Sequence, residues 1–384
     1  MKTYDIIIIG AGASGIFAAT RIKNKSVCIL DSGDAPLRRV AISGGGKSNF
    51  TNTHADHNHY FGTNPEFTRG ALARFSSLDM LNWARDHNLR IHEKSPGQYF
   101  CDDSQNIIAA LLHDAKNADI KLNTTVKSAT KTDDIFEIET NNGTFTARHL
   151  CIATGGVSYS NISNGDVGYK IAKSFGHKII PPRPALCGIR TKLFSSTLSG
   201  ISIPVEISIG RERIRDSMLF THWGLGGPAI YRATVRNLDN GFTLNLLPNC
   251  DTYNWLTAQK KSNGRKQLKT ILATKMPATL AEFLAGNDTK NIADWRDTDI
   301  RIIATKISEI KITTAAFELQ KFDAAEVTRG GIDTTDISSK TMESKLTPGL
   351  YFIGETLDIA GDLGGYNLQW AWSSAHTFAE NFQE

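Results

Sequence analysis

A glycine-rich turn near the amino terminus has the spacing of a dinucleotide-binding fingerprint. Six residues starting at Gly10 read G-x-G-x-x-G, and Asp31 stands 21 positions after Gly10. Gly10 would make the tight turn, Gly12 would admit a pyrophosphate close to the backbone, and Gly15 would let a helix pack closely on a strand. The amino terminus of that helix offers N–H groups and a positive dipole end to phosphates, and Asp31 would accept hydrogen bonds from a ribose hydroxyl.

Two later motifs favour FAD over NAD as the dinucleotide. Cys151–Gly156 reads as a strand that ends in a turn of small residues, and Gly349–Glu355 reads as a strand that ends in Gly-Glu. Such an acid would lie beside the ribityl and phosphate end of a flavin. The chain has no second G-x-G-x-x-G for a dedicated nicotinamide domain.

Hydrophobic patterning predicts the elements that must position these motifs. The fingerprint lies in a strand–helix–strand unit, and an Asn-Asn-Gly turn predicts a later hairpin. The predicted strands are Asp5–Ile9, Ser26–Leu30, Lys121–Ala129, the hairpin Asp134–Thr146 and His149–Ala153, and the predicted helices are Ser14–Lys23, Leu78–Asn88 and Ile107–Ala118. The region Ser43–Asn52 is predicted to be a glycine-rich loop.

The pattern of predicted secondary structure changes near residue 188, and the earlier glycine-rich, strand-like pattern returns near residue 325. Short alternating strands are predicted at Ile201–Ile209, Glu212–Phe220 and Phe242–Leu247, followed by a helical and polar stretch. The predicted organisation is an α/β Rossmann-like FAD-binding domain in two chain segments (1–187 and 325–384), an inserted β-barrel-like module (188–250 and 313–324) and a small helical insert (251–312).

Composition excludes several classes of protein. The chain has 384 residues, 40% hydrophobic and 21% charged, which suits a folded core and not a disordered chain. The longest aliphatic run is far shorter than a membrane span needs. The five cysteines have no paired spacing, so neither a disulfide framework nor a zinc site is expected, and no metal is predicted. We expect a cytoplasmic protein without membrane association.

The net charge of +4 is unevenly placed. Between Arg190 and Gln320 there are 18 Lys and Arg against 12 Asp and Glu, a difference of +6. Two clusters carry this charge: Arg211, Arg213 and Arg215 at period two, and Lys260, Lys261, Arg265, Lys266 and Lys269. They are either a phosphate-binding surface or an ordinary solvated face.

Four further stretches carry a resemblance to a known family. They are Ile42–Asn52, Leu219–Ile230, Val327–Gly331 and Gly361–Trp372. With these stretches the chain resembles the HI0933/YhiN/BaiN-like family of FAD-binding flavoproteins. The resemblance implies a two-segment FAD domain with an inserted β-barrel-like module and a helical module. It also implies flavin-dependent reduction of a carbon–carbon double bond, either in a uridine of large-subunit ribosomal RNA or in a steroid-like enone.

The chain departs from the family pattern at three places. Lys47-Ser48-Asn49 stands where the family usually has Arg-Cys-Asn, Gly97–Cys101 stands where it often has Gly-Arg-Val-Phe-Pro, and Asp31 stands where it often has Glu. Ser48 removes a candidate thiol from any mechanism that would use it.

The motifs and the resemblance together assign a set of residues to the cofactor. We place the loop from Ser43 against the flavin, with Arg39 or Lys47 near a phosphate or the isoalloxazine edge. The helix after Gly365 would stabilise negative charge at flavin N1–O2. The predicted cofactor-binding residues are Gly10, Ala11, Gly12, Ala13, Ser14, Gly15, Asp31, Ser32, Arg39, Ser43, Gly44, Gly45, Lys47, Ser48, Asn49, Val126, Ala153, Thr154, Gly155, Gly156, Gly354, Glu355, Asp358, Gly365, Tyr366, Asn367, Leu368 and Gln369.

The substrate side is predicted less specifically. His222, Arg329 and Lys47 are the candidate catalytic residues, because reduction of an enone or a uracil needs a proton beside the hydride. Tyr366 and Cys101 are alternative acids. NAD(P)H is expected to visit transiently as the electron donor.

Three functions therefore stay open at this point. The first is reduction of uridine to dihydrouridine in 23S ribosomal RNA, docked through the basic insert. The second is oxidation or reduction of a small enone or amine. The third is a non-enzymatic flavin-bound sensor.

Overall fold

The computed structural model describes residues 2–382, and within them the chain divides into two compact units. The outer unit comprises the residues up to Pro184 and from Glu326 onward, and the inserted unit is Ala185–Ala325. Each unit has its own cluster of buried apolar side chains. The further division of the inserted unit into a β-barrel-like and a helical module stays a prediction.

The bounds of the elements are as follows. The strands are β1 (Thr3–Ile9), β2 (Val27–Leu30), β3 (Asn49–Asn52), β4 (Tyr60–Phe61), β5 (Ile91–Ser95), β6 (Gln98–Cys101), β7 (Asp119–Lys121), β8 (Val126–Thr132), β9 (Ile135–Thr140), β10 (Gly143–Ile152), β11 (Ile179–Ala185), β12 (Ile189–Arg190), β13 (Ser202–Ile209), β14 (Glu212–Thr221), β15 (Gly224–Gly226), β16 (Phe242–Asn245), β17 (Ile310–Ile312), β18 (Glu318–Leu319), β19 (Val327–Ile332), β20 (Leu350–Phe352) and β21 (Ala360–Gly361). The α-helices are α1 (Ala13–Arg21), α2 (Arg38–Gly46), α3 (Thr68–Arg74), α4 (Ser77–Asp86), α5 (Ser104–Asp114), α6 (Val167–Ser174), α7 (Pro228–Thr234), α8 (Thr252–Ser262), α9 (Leu268–Leu272), α10 (Ala278–Ala285), α11 (Asp297–Ser308) and α12 (Tyr366–Ala379).

The main sheet of the outer unit is Rossmann-like, as the sequence predicts. Its strand order is β7-β2-β1-β10-β9-β8, with β20 beside β10. The pairs β1–β2, β1–β10, β2–β7 and β10–β20 are all parallel. Strand β1 contains an aliphatic run and is buried, as expected for a strand inside a parallel sheet. Helix α1 packs beside α12, and the ring centroids of Phe17 and Trp372 lie 5.3 Å apart.

Two strand predictions were wrong in their bounds. The second arm of the predicted hairpin and the predicted strand His149–Ala153 are one strand, β10, whose first half pairs with β9 and whose end pairs with β20. The predicted strand Lys121–Ala129 is two strands, because the chain turns between them at Asn123, which has a φ of 53°. The N–H groups of Asn123 and Thr124 there bind the carbonyls of Gly33 and Asp31.

The predicted helices exist with small shifts at their ends. Helix α4 begins after Ser76, whose hydroxyl and Asp79 form a capping box. Helix α5 begins earlier than predicted, because the Asp103 carboxylate accepts the N–H of Gln105 and caps it.

The inserted unit is built on a second, seven-stranded sheet. Its order is β17-β16-β13-β14-β15-β12-β18, and its neighbouring strands pair antiparallel. The hairpin β13–β14 turns at Gly210 and Arg211. Helices α8 to α11 occupy most of the stretch from residue 251 to 312 that was predicted to be helical, but its last three residues form β17.

Residues 2–382 contain neither a membrane-spanning helix nor a cluster of metal ligands. Each helix in this range is too short or too polar to span a bilayer. No group of three or more His, Cys, Asp or Glu side chains in this part of the chain is arranged to hold a metal ion.

Candidate functional site

The cofactor motifs of the outer unit meet at one edge of its main sheet. Strands β1, β2, β10 and β20 run in the same direction, so their carboxyl ends lie together. Gly10, Asp31, Ala153 and Gly354 follow these four ends directly or within two residues. Ligands of open α/β sheets bind outside the carboxyl ends of the strands, so this edge is the candidate site.

Two of the three fingerprint glycines leave no room for a side chain, and the third borders open space. A Cβ on Gly10, whose φ is 115°, would lie 2.3 Å from the carbonyl oxygen of Ala153. A Cβ on Gly15 would lie 1.9 Å from the Gly10 carbonyl oxygen. A Cβ on Gly12 would meet no protein atom within 4 Å, and Gly12 caps α1 without a side-chain hydrogen bond. An uncapped helix start beside open space fits the pyrophosphate of FAD.

Asp31 is fully engaged by the protein itself. Its Oδ2 accepts the N–H of Ala11 at 2.7 Å and the amide of Asn164 at 3.1 Å, and its Oδ1 accepts the N–H of Gly33 at 2.7 Å. Arg38 lies 3.3 Å from Oδ1. The carboxylate thus holds the fingerprint turn to the end of β2. Its predicted bond to a ribose hydroxyl stays a prediction, one that would have to compete with these donors.

The predicted loop from Ser43 to Asn52 is only partly a loop. It begins inside α2, where Ser43, Gly44 and Gly45 leave helical geometry, and it ends in β3. Gly44, Gly45 and Gly46 all have positive φ, which bends the chain away from the helix axis. A Cβ on Gly45 or Gly46 would meet open space.

This segment presents both exposed and buried polar groups. Lys47 is exposed, whereas Ser48 is fully buried with a φ of 44°. Within residues 2–382, Ser48 Oγ and Asn49 Oδ1 are buried without a hydrogen-bond partner. Buried polar atoms are normally paired, so these two atoms mark a place where the polar groups of the segment are not satisfied by the protein.

The start of α12 lies against this segment. Gly365 caps the helix with a φ of 91°, and a Cβ there would lie 2.5 Å from the carbonyl oxygen of Thr51. The Gln369 side chain accepts the Thr51 hydroxyl at 2.5 Å, and the Asn367 side chain binds both main-chain groups of Gly361. Because these two side chains serve the protein, a contact of this turn with the flavin would come from its main chain.

The remaining residues of this helix start are more buried than the sequence suggests. Tyr366 is 5% exposed and stacks on His59 with ring centroids 4.9 Å apart, and Leu368 packs against the core of the outer unit. His59 Nδ1 lies 2.9 Å from Asp56 Oδ1. This His59–Asp56 pair was not predicted from the sequence, because short polar turns carry no periodic signal.

Two acidic side chains in the segment after β20 connect it to other parts of the outer unit through hydrogen bonds. Glu355 Oε2 accepts Arg39 Nη1 at 2.5 Å, and its Oε1 accepts the N–H of Thr328. Asp358 is almost fully buried and accepts the N–H and hydroxyl of Thr63. The predicted position of Glu355 beside the ribityl chain stays a prediction, and so does the predicted binding of the cofactor by Asp358.

Small residues shape the same edge from β10. Gly155 has a φ of 71°, and its N–H donates to the Thr356 hydroxyl at 3.0 Å. A Cβ on Gly156 would lie 2.5 Å from Thr328 Oγ1. Thr154 is buried beside them. Only small residues fit where the turn meets Thr328.

Three other predicted cofactor residues have distinct surroundings. Ser14 lies under Gly354, where an added Cβ would meet its hydroxyl at 2.6 Å. Ser32 Oγ donates to Asn164 Oδ1 at 2.6 Å, and Val126 is buried at the start of β8. Asn164 was missed, although it stands in the turn-prone stretch 160–165 that the sequence displays.

The candidate catalytic residues have different surroundings. His222 is exposed in the turn between β14 and β15 of the inserted unit, while Arg329 is partly buried on β19 of the outer unit. Cys101 is buried, and burial raises the pKa of its thiol to about 12. A thiol with so high a pKa is a poor proton donor at neutral pH. The catalytic roles of His222, Arg329 and Lys47 stay predictions.

The arginine stripe of the inserted unit differs from its prediction. Arg211 lies in the hairpin turn and not on the strand. Arg213 and Arg215 lie on β14 and both reach Glu206, at 3.7 and 2.6 Å. Only Arg213 and Arg215 therefore lie on one face of the strand, and Glu206 of the neighbouring strand β13 supplies the negative charge that pairs with them.

Comparison with known proteins extends these observations over the whole chain. Residues 4–381 match the family model described as the HI0933-like protein Rossmann domain. The chain is 36% identical to a ribosomal RNA dihydrouridine synthase of Escherichia coli, over 99% of this chain and 98% of that protein. It is 37% identical to a ribosomal RNA dihydrouridine synthase of Haemophilus influenzae, over 97% of both.

Two more distant matches show the breadth of the resemblance. The chain is 28% identical to a 3-dehydro-bile acid delta(4,6)-reductase of Clostridium scindens, over 96% of both proteins. It shares the fold of an E. coli quinol fumarate reductase FrdA variant with a TM-score of 0.50 and 14% identity, over 99% of this chain and 70% of that one.

Proposed function

This chain belongs to the HI0933-like family and is an FAD-dependent oxidoreductase, and on that premise we propose that it reduces a uridine of 23S ribosomal RNA to dihydrouridine. The single observation that carries the proposal is the identity of 36 and 37% to two proteins of that name along nearly their full lengths. Such a substrate would place the reaction in the cytoplasm.

The proposed reaction adds two electrons and two protons across the C5–C6 bond of uracil. Bound and reduced FAD supplies a hydride from its N5 atom. NAD(P)H is the proposed source of those electrons, and it would leave before the RNA binds. A protein acid delivers a proton to the other carbon, and His222 and Arg329 are the proposed groups for the substrate side.

The residues of the outer unit suit the cofactor part of this reaction. The uncapped start of α1 at Gly12 would bind the pyrophosphate. The start of α12 at Tyr366 would place a positive dipole end near the flavin pyrimidine and stabilise the negative charge of its reduced form. Lys47 would add positive charge at the same edge, whereas the charge of Arg39 is balanced by Glu355.

A second function is favoured by a separate observation. The relative named a bile-acid reductase is 28% identical over 96% of the chain, so the same flavin motifs can serve a small enone. An amine substrate has no comparable support. The enone proposal treats the basic charge of the inserted unit as incidental.

Mass spectrometry of ribosomal RNA nucleosides separates the two functions. RNA is compared from cells with the gene, cells without it and cells that carry it again on a plasmid. The proposal expects dihydrouridine to disappear with the gene and to return with it. Unchanged dihydrouridine would overturn the RNA proposal, and flavin reoxidation by small enones would then be measured.

A further inference from the structure

The basic charge of the inserted unit is divided between two surfaces with different electrostatics. The arginine hairpin comprises Arg211, Arg213 and Arg215, and the basic segment is Thr252–Met276. The basic segment spans 25 residues with six Lys and Arg and no Asp or Glu. An RNA backbone requires cations that are exposed and not already paired.

The cations on the strand of the arginine hairpin are paired with neighbouring acids. Arg215 Nε lies 2.6 Å from Glu206 Oε2, and Arg213 shares the same carboxylate. Glu212 of the same strand binds Arg236 at 2.7 Å. A phosphate would have to displace the Glu206 carboxylate from Arg213 and Arg215, and that carboxylate would repel it.

The basic segment presents its charge differently. Lys261, Arg265, Lys266 and Lys269 are exposed, and none of the four forms an ion pair with an acid of residues 2–382. Their neighbour Lys260 is paired, with Asp297 at 3.0 Å.

Local structure holds these four cations close together. Helix α8 ends at Ser262, the N–H of Lys266 binds the carbonyl of Asn263 at 2.9 Å, and α9 begins at Leu268. The turn is fixed further because Ile292 and Ala293 donate to the carbonyls of Lys266 and Gly264. The cations therefore project from one ordered helix–turn–helix, which lowers the conformational entropy lost when they bind.

We propose that the basic segment binds the phosphate backbone of the RNA substrate and that the arginine hairpin does not. The choice of RNA rests on the proposed function. The aromatic rings nearby are covered by cations, since Lys275 lies 5.4 Å from the Trp255 ring centroid and Arg301 lies 4.4 Å from that of Tyr253. The basic segment would therefore contact phosphates and not bases, and this contact would not depend on the RNA sequence.

The test compares two triple variants that each lose three positive charges. K261Q/R265Q/K266Q changes the basic segment, and R211Q/R213Q/R215Q is the matched control on the arginine hairpin. Both holoenzymes are titrated with a protein-free transcript of large-subunit ribosomal RNA across a series of KCl concentrations. Bound-flavin absorbance and far-ultraviolet circular dichroism show that each variant is folded and loaded.

The proposal expects the first variant to bind RNA about tenfold more weakly and to lose about two units of salt slope, because each lost phosphate contact removes about 0.7 to 0.9. The control should bind within about twofold of wild type. Equal effects of the two variants, a larger effect of the control, or binding of anionic phospholipid vesicles without binding of RNA would overturn the proposal.

The same preparations separate this inference from the proposed function. Wild type that binds RNA through the basic segment but forms no dihydrouridine would contradict the proposed function and leave the binding surface standing. Wild type that forms dihydrouridine while K261Q/R265Q/K266Q binds RNA normally would contradict the surface alone.

Discussion

Asp31 Oδ2 accepts the main-chain N–H of Ala11 at 2.7 Å, so the acid that ends β2 is part of the fingerprint turn itself. The same carboxylate accepts the N–H of Gly33 through Oδ1. Aspartate is one methylene shorter than glutamate. Here the carboxylate lies close to the backbone, where it orders the turn before any ligand arrives.

Replacing Asp31 with Asn should destabilise the folded protein even when no cofactor is bound. The substitution removes a buried charge that accepts two N–H bonds, which should lower the free energy of unfolding by about 1–3 kcal/mol. Urea denaturation of the cofactor-free protein measures this. Asp34→Asn, at an exposed position two residues beyond Ser32, is the control. Equal stability of both variants would contradict the role of Asp31.

Two alanine substitutions separate packing from ligand binding in the fingerprint. Gly15→Ala should destabilise the cofactor-free protein, because its Cβ would lie 1.9 Å from the Gly10 carbonyl oxygen. Gly12→Ala meets no protein atom within 4 Å, so it should leave that stability unchanged and weaken FAD binding by about tenfold or more. Thermal denaturation and flavin titration report the two effects. Normal FAD affinity in Gly12→Ala would place the pyrophosphate elsewhere.

The tight turn at Gly10 and the close packing at Gly15 could be predicted from the sequence, because glycine spacing encodes steric limits directly. Gly10, Gly12 and Gly15 each have the surroundings that the motif requires. The sequence could not show which hydrogen-bond donors compete for the Asp31 carboxylate. Asp31 was expected to face a ribose, but its main-chain partners depend on how β2 and the turn meet in space.

The Arg39–Glu355 ion pair should couple the two sides of the candidate site. The atoms are 2.5 Å apart and both side chains are mostly buried, so a double-mutant cycle with Arg39→Gln and Glu355→Gln should give a coupling energy of about 0.5–3 kcal/mol. Denaturation of the four cofactor-free proteins measures it. Strictly additive losses would mean that the pair contributes no interaction of its own.

Buried histidines should make the protein less stable as the pH falls. Burial lowers the pKa of His177, His149 and His376, so the folded protein binds fewer protons than the unfolded chain. Their stabilising contribution is complete above the unfolded pKa near 6.5 and is lost as the pH falls below it.

His177 offers the clearest test of this dependence, because its Nε2 lies 2.7 Å from the Ser344 hydroxyl in a buried position. His177→Gln should lose part of the decline in unfolding free energy between pH 7 and pH 5. His113→Gln, at an exposed position, should retain the whole decline. Identical pH profiles of the two variants would contradict the assignment.

The ion pairs of the inserted unit could not be predicted from the sequence. Strand periodicity correctly put Arg213 and Arg215 on one face, but it could not show that Glu206 on the neighbouring strand faces both. Charge counted along the chain cannot separate paired cations from unpaired ones. The basic segment differs because the absence of acids over 25 residues is itself visible in the sequence.

Reconstitution with purified components tests the central claim most directly. The FAD-loaded protein is incubated without oxygen with NAD(P)H and a large-subunit ribosomal RNA transcript, and dihydrouridine and oxidised nicotinamide are both quantified. The account predicts one dihydrouridine per NAD(P)H consumed, at a defined uridine, and none with Gly12→Ala depleted of FAD. Nicotinamide oxidation that depends on a small enone and leaves the RNA unchanged would contradict it.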